Sequence, residues 1–138
     1  MSIKLDMESI KLINFFENFT KVKVRDCLVK DNFVYFITEK NQAQFAIGKN
    51  GVNVKRLERK LGKNIKVFEY SDDLVEFVKN IIPKANLINI KNENNEVIVE
   101  IKLSKADKPI VIGRDGKNLN IIKEILRRNS NVNDLIIR

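Results

Sequence analysis

A four-residue glycine pattern occurs twice in the chain and limits its fold more than any other feature. Gly48 and Gly51 stand between an apolar run and a basic segment in FAIGKNGVNVKRLERKLG (45–62), and Gly113 and Gly116 stand at the same places in IVIGRDGKNLNIIKEIL (110–126). Both glycines recur at a spacing of 65 residues, and the pattern uses four of the five glycines among 138 residues. This spacing predicts two copies of one folding unit.

The repeat extends beyond the glycines. We expect two domains, residues 1–70 and residues 71–138, with a boundary near Glu69 to Asp73. Aligning the chain with itself at the same offset pairs identical residues at Val34/Val99, Lys40/Lys105, Ile47/Ile112, Asn53/Asn118 and Leu61/Leu126, and apolar residues at Phe36/Ile101, Phe45/Ile110, Val54/Leu119 and Leu57/Ile122.

Each predicted unit has the element order α-β-β-α-α-β, which indicates an α+β fold. In the first unit, Leu12, Phe15, Phe16 and Phe19 follow the spacing of one helical face. The run FVYFIT (33–38) is typical of a strand, and KDN (30–32) supplies the turn of a hairpin. A short helix leads to the glycine pattern, and a second helix follows from about 52 to 61, before the strand NIKVFEY (64–70).

The second unit repeats this order. The segment SDDLVEFVKNII (71–82) predicts a helix capped by Ser71 or Asp72 and ended by Pro83. We expect strands at NLINI (86–90) and EVIVEIKL (96–103), joined by the polar turn KNENNE (91–96), and a last strand at DLIIR (134–138). The helix after the second glycine pattern should extend to about Arg128.

The glycine pattern joins a short helix to the N-terminus of a longer one. Glycine permits positive φ and the close approach of another backbone, and a helix N-terminus attracts anions. The basic residues Lys49, Lys55 and Arg56 make the first copy suitable for a phosphodiester backbone. The alternative is a tight helical turn in which glycine only ends a helix, and the second copy in the same context favours phosphate contact.

The charge distribution also favours a polyanionic partner over a merely solvated surface. The formal net charge is +8, of which +6 belongs to residues 1–70 and +2 to residues 71–138. Six basic residues and one acidic residue lie in KRLERKLGKNIK (55–66). Neutralising phosphates releases their condensed counterions, so a local basic surface of this kind favours binding to a nucleic acid.

Several kinds of catalytic site are excluded. The chain contains no histidine and a single cysteine, Cys27, which rules out a Ser-His triad, a histidine metal site and a zinc ribbon. The segment GRDGKN (113–118) lacks the glycine spacing and the hydroxyl residue of a P-loop. We therefore expect no enzyme, no metal and no cofactor. The lone cysteine and the lack of a signal segment or an apolar span predict a cytoplasmic protein without membrane contact.

The segments IGKNGVNV (47–54) and IGRDGKNL (112–119) resemble the signature of KH RNA-binding modules, whose GXXG loop clamps about four nucleotides. A helix and a hairpin ahead of this core resemble the type II arrangement. Including RDCLV (25–29) and EYSDDLVEFVKNIIPKA (69–85), nearly the whole chain is similar to archaeal NusA-like transcription factors. The resemblance implies two tandem type II KH domains, each with a three-stranded mixed sheet packed against helices, that bind single-stranded RNA in transcription elongation, termination or antitermination.

The resemblance also assigns site residues. Its backbone clamps are the two loops, Gly48-Lys49-Asn50-Gly51 and Gly113-Arg114-Asp115-Gly116. Four apolar residues would edge a groove for bases or pack in the core: Ile47, Val54, Ile112 and Leu119. Two amides, Asn53 and Asn118, would contact RNA or cap helices. The basic residues that would meet phosphates, or remain solvated charges, are Lys49, Lys55, Arg56, Arg114 and Lys117.

One residue departs from a favourable loop, because the carboxylate of Asp115 would face an incoming phosphate. It would weaken the second clamp, be offset by Arg114 and Lys117, or cap the following helix. Bacterial members of the family also carry an RNA-polymerase-binding domain and an S1 domain, for which 138 residues leave no room. RNA polymerase and other transcription proteins are therefore only candidate partners, and we expect a monomer.

Two other functions stay open. The first is a ribosome-associated KH protein that binds ribosomal RNA, which the lack of basic tails disfavours. The second is a protein-interaction adaptor whose KH folds no longer bind RNA, which Lys49 and Arg114 disfavour.

Overall fold

The computed structural model describes residues 5–138 and divides the chain into two compact units, the first ending at Ser71 and the second beginning at Asp72. Both units have the order α-β-β-α-α-β, so the predicted α+β class is confirmed. The first unit contains α1 (Met7–Thr20), β1 (Val24–Lys30), β2 (Phe33–Thr38), α2 (Ala43–Ile47), α3 (Val52–Leu61) and β3 (Asn64–Glu69). The second contains α4 (Leu74–Ile81), β4 (Leu87–Glu93), β5 (Glu96–Lys102), α5 (Lys108–Ile112), α6 (Lys117–Asn129) and β6 (Asp134–Ile137).

Each unit has one three-stranded mixed sheet. In the first, β2 lies in the centre, antiparallel to β1 and parallel to β3, and Phe36 is opposite Cys27 on β1 and Val67 on β3. In the second, β5 has the same place between β4 and β6, and Val99 is opposite Ile90 and Leu135. The parallel pair requires a crossover, and the two helices that flank the glycine loop supply it in both units.

Helix α1 and the helices beside the glycine loop cover one face of the first sheet. Phe16 of α1 stacks on Phe36 of β2 with ring centroids 4.0 Å apart. Ala46 of α2 and Leu57 of α3 are fully buried in the same cluster, which also contains Cys27. Burial of Ala46 and Leu57 fixes how α2 and α3 enter and leave the glycine loop, so the core sets the position of that loop.

The N-cap of α4 differs from the prediction. It is Asp73, and neither Ser71 nor Asp72: the Asp73 Oδ1 atom accepts hydrogen bonds from the N–H groups of Val75 at 3.0 Å and Glu76 at 3.4 Å. Three successive residues of SDD are all favourable N-caps, so local preference alone does not choose between them. The start of the helix at Leu74 decides the choice.

The predicted six-residue turn at 91–96 was too long. Strand β4 continues through Glu93, and only Asn94 and Asn95 form the turn, with φ of 51° and 65°. Two-residue hairpins favour positive φ at both positions, which asparagine tolerates. The error arose because β4 is largely exposed, so its polar residues 91–93 gave no apolar signal although their backbone pairs with β5.

Candidate nucleic-acid interface

The first glycine of each loop has a backbone conformation that is essentially restricted to glycine. Gly48 has φ 78° and ψ 169°, and Gly113 has φ 77° and ψ 172°. A side chain would also collide with its surroundings: a Cβ on Gly48 would lie 2.9 Å from Asn53 Cγ, and one on Gly113 would lie 2.7 Å from Asn118 Cβ. The fold therefore requires glycine at this position, whatever the loop binds.

The two asparagines link the helices on either side of each loop. Asn53 Nδ2 donates a hydrogen bond to the Phe45 carbonyl oxygen at 3.1 Å, and Asn118 Nδ2 donates to the Val111 carbonyl oxygen at 2.7 Å. Each bond ties the long helix back to the short helix across the loop. The predicted alternative of helix capping holds for the C-terminal ends of the short helices, since Phe45 and Val111 belong to the last turns of α2 and α5. The long helices α3 and α6 begin without a side-chain cap. RNA contact by these residues stays a prediction.

The third and fourth positions of both loops are left-handed. Asn50 has φ 55° and ψ 27°, Asp115 has φ 56° and ψ 25°, and the glycines that follow them have φ of 73° and 74°. Asparagine and aspartate are the residues other than glycine that visit this region most readily. The backbone therefore explains why Asp115 is tolerated. Capping of α6 by Asp115 is wrong, since the helix starts after Gly116 with no side-chain cap.

The predicted phosphate partners lie on the surface around the loops. Within residues 5–138, none of them takes part in an ion pair, so their charges are not neutralised by the protein. The helices α3 and α6, near whose N-termini these residues lie, have no side-chain cap, and uncapped N-terminal N–H groups attract anions. The exposed basic side chains are Lys49, Lys55 and Arg56 in the first unit and Arg114 and Lys117 in the second.

The four predicted apolar residues are half-buried. Val54 packs against the core of the first unit, so the core-packing alternative holds for part of its side chain. Ile47, Ile112 and Leu119 are likewise neither buried nor fully exposed. Their partial exposure beside the loops leaves apolar surface available, and base contact by any of the four stays a prediction.

Two exposed apolar residues beside the loops were not predicted as site residues. Phe45 is 60% exposed and Ile110 is 74% exposed, each three positions before the first glycine of its loop. The repeat paired them as apolar residues, without a role for either. In the first unit, the next residue, Ala46, is the one that is buried in the core.

The geometry suits a ligand that combines phosphates with flat apolar groups. Around each loop, exposed basic side chains and an uncapped helix N-terminus lie close in the chain to an exposed apolar side chain. Within residues 5–138, no cluster of three or more cysteine, aspartate or glutamate side chains is placed to hold a metal ion. In the same part of the chain, no helix has the length and apolar character needed to cross a membrane.

Comparison with known proteins shows what the chain is similar to. The KH domain family model matches residues 11–93. A probable transcription termination protein NusA from Methanocaldococcus jannaschii is 36% identical over 132 residues, which cover 94% of this chain and 72% of the relative. The protein of the same name from Methanococcus vannielii is 34% identical over 98% of this chain and 79% of its own length. The crystal structure of APE1850 matches with a TM-score of 0.79 and 36% identity, covering 97% of this chain and 100% of that one.

Proposed function

This chain belongs to the KH domain family, among the archaeal NusA-like proteins, and we propose that it binds single-stranded RNA through the loops 48–51 and 113–116. In this proposal, each loop accepts a phosphate on its backbone N–H groups, and the flanking bases rest on apolar side chains beside it. Those side chains are Ile47 and Val54 in the first unit and Ile112 and Leu119 in the second. Asn53 and Asn118 hold the loops in shape.

One observation carries the proposal. The two loops have the same succession of positive φ angles, and each places an exposed basic residue, Lys49 or Arg114, directly after the glycine-only position. Backbone conformations of this kind cluster at ligand-binding sites and persist only where the surrounding structure holds them. Two copies with the same backbone and a basic residue at the same place support phosphate contact over a simple helical turn.

The division into two KH domains, residues 1–70 and 71–138, is part of the proposal. The family model spans the first loop and ends at residue 93, before the second loop. Assignment of the second unit as a type II KH domain is supported by the internal repeat, by its identical element order and by the matching torsions of its loop.

We also propose that the bound RNA is a transcript and that the protein acts in transcription elongation, termination or antitermination. The name shared by the two relatives described above, probable transcription termination protein NusA, supports this role. RNA polymerase and other transcription proteins are candidate partners of the same proposal.

The test changes the first loop without changing its shape. We expect the double substitution Lys49→Asp and Asn50→Asp to weaken binding of single-stranded RNA at least tenfold and to leave the melting curve unchanged. The fold should tolerate aspartate at position 50, because Asp115 already has the equivalent left-handed conformation. A matched control, Lys11→Glu with Asn14→Glu, makes the same change in net charge on exposed positions of α1. Filter binding at several salt concentrations measures the affinities.

Each outcome separates the candidate functions. Loss of affinity in the loop variant alone supports the proposal, and equal losses in both variants would show a non-specific charge effect instead. Tighter binding of ribosomal or duplex RNA than of single strands by the wild type would favour a ribosome-associated protein. A wild type that binds no RNA at any of the salt concentrations would favour the adaptor.

A further inference from the structure

A basic cleft lies beside α3, at the end of the helix away from the glycine loop. It is open to solvent, has a volume of about 530 Å³ and is lined by Lys55, Arg59 and Lys63, by the amides Asn32 and Asn64, and by Glu58. Lys55 also lines a second depression of about 430 Å³, which it shares with Lys49 and Asn50 of the glycine loop. Because one side chain borders both, the cleft continues the surface of the loop along the helix.

The positive charge of this cleft is not neutralised within the described chain. Arg59 Nε donates to the Lys55 carbonyl oxygen at 3.4 Å, and Lys63 Nζ donates to the Asp31 carbonyl oxygen at 3.4 Å, and both acceptors are neutral. Among the lining residues, Glu58 is the one acid. Its Oε2 atom accepts a hydrogen bond from the Ile65 N–H at 2.8 Å, which directs the carboxylate towards β3. Three cations around one acid leave a net positive surface.

The second unit shows that the fold does not require this charge. At the repeat spacing of 65 residues, Lys55 corresponds to Asn120 and Arg59 to Glu124. The same helix and sheet therefore form without basic residues at these two places. Moreover, Lys123 of α6 is held in an ion pair with Asp134 at 3.1 Å. The third cation of the cleft, Lys63, corresponds to the basic residue Arg128. The combination of all three cations therefore occurs in the first unit alone, which points to a ligand and not to folding.

We propose that the cleft formed by Lys55, Arg59 and Lys63 is a second phosphate-binding site, which holds RNA backbone that continues from the loop 48–51 along α3. This inference rests on the proposed RNA binding by that loop. Asn32 and Asn64 supply neutral donors for phosphate or ribose oxygens at the far end. The first unit consequently holds a longer stretch of RNA than the second, and the additional stretch is bound by charge without reading of bases.

The experiment compares two adjacent basic residues of α3 with two lengths of RNA. Arg59 lines the cleft, whereas Lys60 is exposed on the neighbouring face of the helix, so Arg59→Glu and Lys60→Glu change the net charge equally. The probes are oligouridines of 5 and 15 nucleotides. We expect Arg59→Glu to weaken binding of the longer RNA at least fivefold and of the shorter RNA less than twofold, and Lys60→Glu to change either affinity less than twofold.

The salt dependence gives a second measurement of the same contact. Loss of one phosphate contact should reduce the slope of log K against log salt by about 0.7 for the longer RNA. Equal effects of the two variants would overturn the cleft proposal, and the cleft would then suit an acidic protein surface. A wild type that binds neither RNA would instead overturn the loop proposal. If Arg59→Glu lowers the melting temperature, Arg59→Gln replaces it and should show the same preference for the longer RNA.

Discussion

The two glycines of one loop should differ sharply in their tolerance of alanine. At Gly51, a Cβ would meet only Lys55 Cε at 3.9 Å, so Gly51→Ala carries mainly the cost of a left-handed alanine, about 1 kcal/mol. At Gly48, ψ of 169° lies in the region that is essentially restricted to glycine, which costs about 2 kcal/mol. The collision with Asn53 would add the loss of its bond to the Phe45 carbonyl, about 1 kcal/mol.

We therefore expect Gly48→Ala to destabilise the first unit by about 3 kcal/mol and Gly51→Ala by about 1 kcal/mol. For a unit of this size, the difference corresponds to a separation of about 10 °C in melting temperature. Circular dichroism of the whole chain during thermal and urea unfolding measures both values. Gly62→Ala is the control, because Gly62 has φ 66° and no residue other than its two chain neighbours has an atom within 4 Å of its Cβ position.

A second substitution tests whether the asparagine is the obstacle. Asn53→Ala removes the Cγ and Nδ2 atoms that lie 2.9 Å from the added Cβ, so Gly48→Ala should cost less in that background. In the second unit the obstacle is Asn118 Cβ at 2.7 Å, which alanine retains, so Asn118→Ala should not relieve Gly113→Ala. Equal costs at Gly48 and Gly51, or equal relief in both units, would refute the reasoning.

Three further predictions concern the cap, the second loop and a buried carboxylate. Asp73→Ala should destabilise the second unit by about 1 kcal/mol in urea unfolding, because α4 loses its N-cap, and an unchanged midpoint would contradict the assignment. Asp115→Asn should leave the melting temperature unchanged, since Asn50 has the same backbone conformation in the first loop. The variant should bind RNA a few fold more tightly at low salt, with a smaller gain at high salt, because it removes a repulsion between surface charges. Weaker binding would show that the carboxylate helps recognition. Hydrogen bonds from Lys91 and Arg138 lower the pKa of Glu100 in the folded protein. The contribution of the ionised carboxylate to folding stability is therefore fully present above the pKa of the unfolded state, and it is lost as the pH falls through the folded pKa. Glu100→Gln should therefore be less stable than the wild type at neutral pH, with a gap that closes in acid; a gap independent of pH in urea titrations would contradict this.

The elements of the fold could be predicted because each depends on residues close together in the chain. The observed helix α3, Val52–Leu61, has the predicted bounds, and strand β2 coincides with the run FVYFIT. Apolar periodicity and the positions of glycines determine such elements locally. The 65-residue repeat similarly indicated that the same order of elements would occur twice.

Where several local solutions were equivalent, the sequence did not choose between them. Any residue of SDD (71–73) makes a suitable cap, and only the packed position of α4 selects Asp73. The exposed end of β4 has no apolar pattern, so its backbone pairing with β5, and not its side chains, extends the hairpin to Asn94 and Asn95.

The arrangement of side chains in the candidate site was the least predictable feature, because it depends on the tertiary structure. The sequence determined that two glycine loops with basic neighbours precede two helices, since glycine and charge are properties of single positions. Only the folded chain shows that Asn53 and Asn118 hold the short helices, that Phe45 and Ile110 are exposed, and that Arg59 shares a cleft with Asn32. The residues that meet in this way are separated by up to 27 positions in the chain. The packing of helices on a sheet decides which of them meet, and no local sequence pattern encodes that packing.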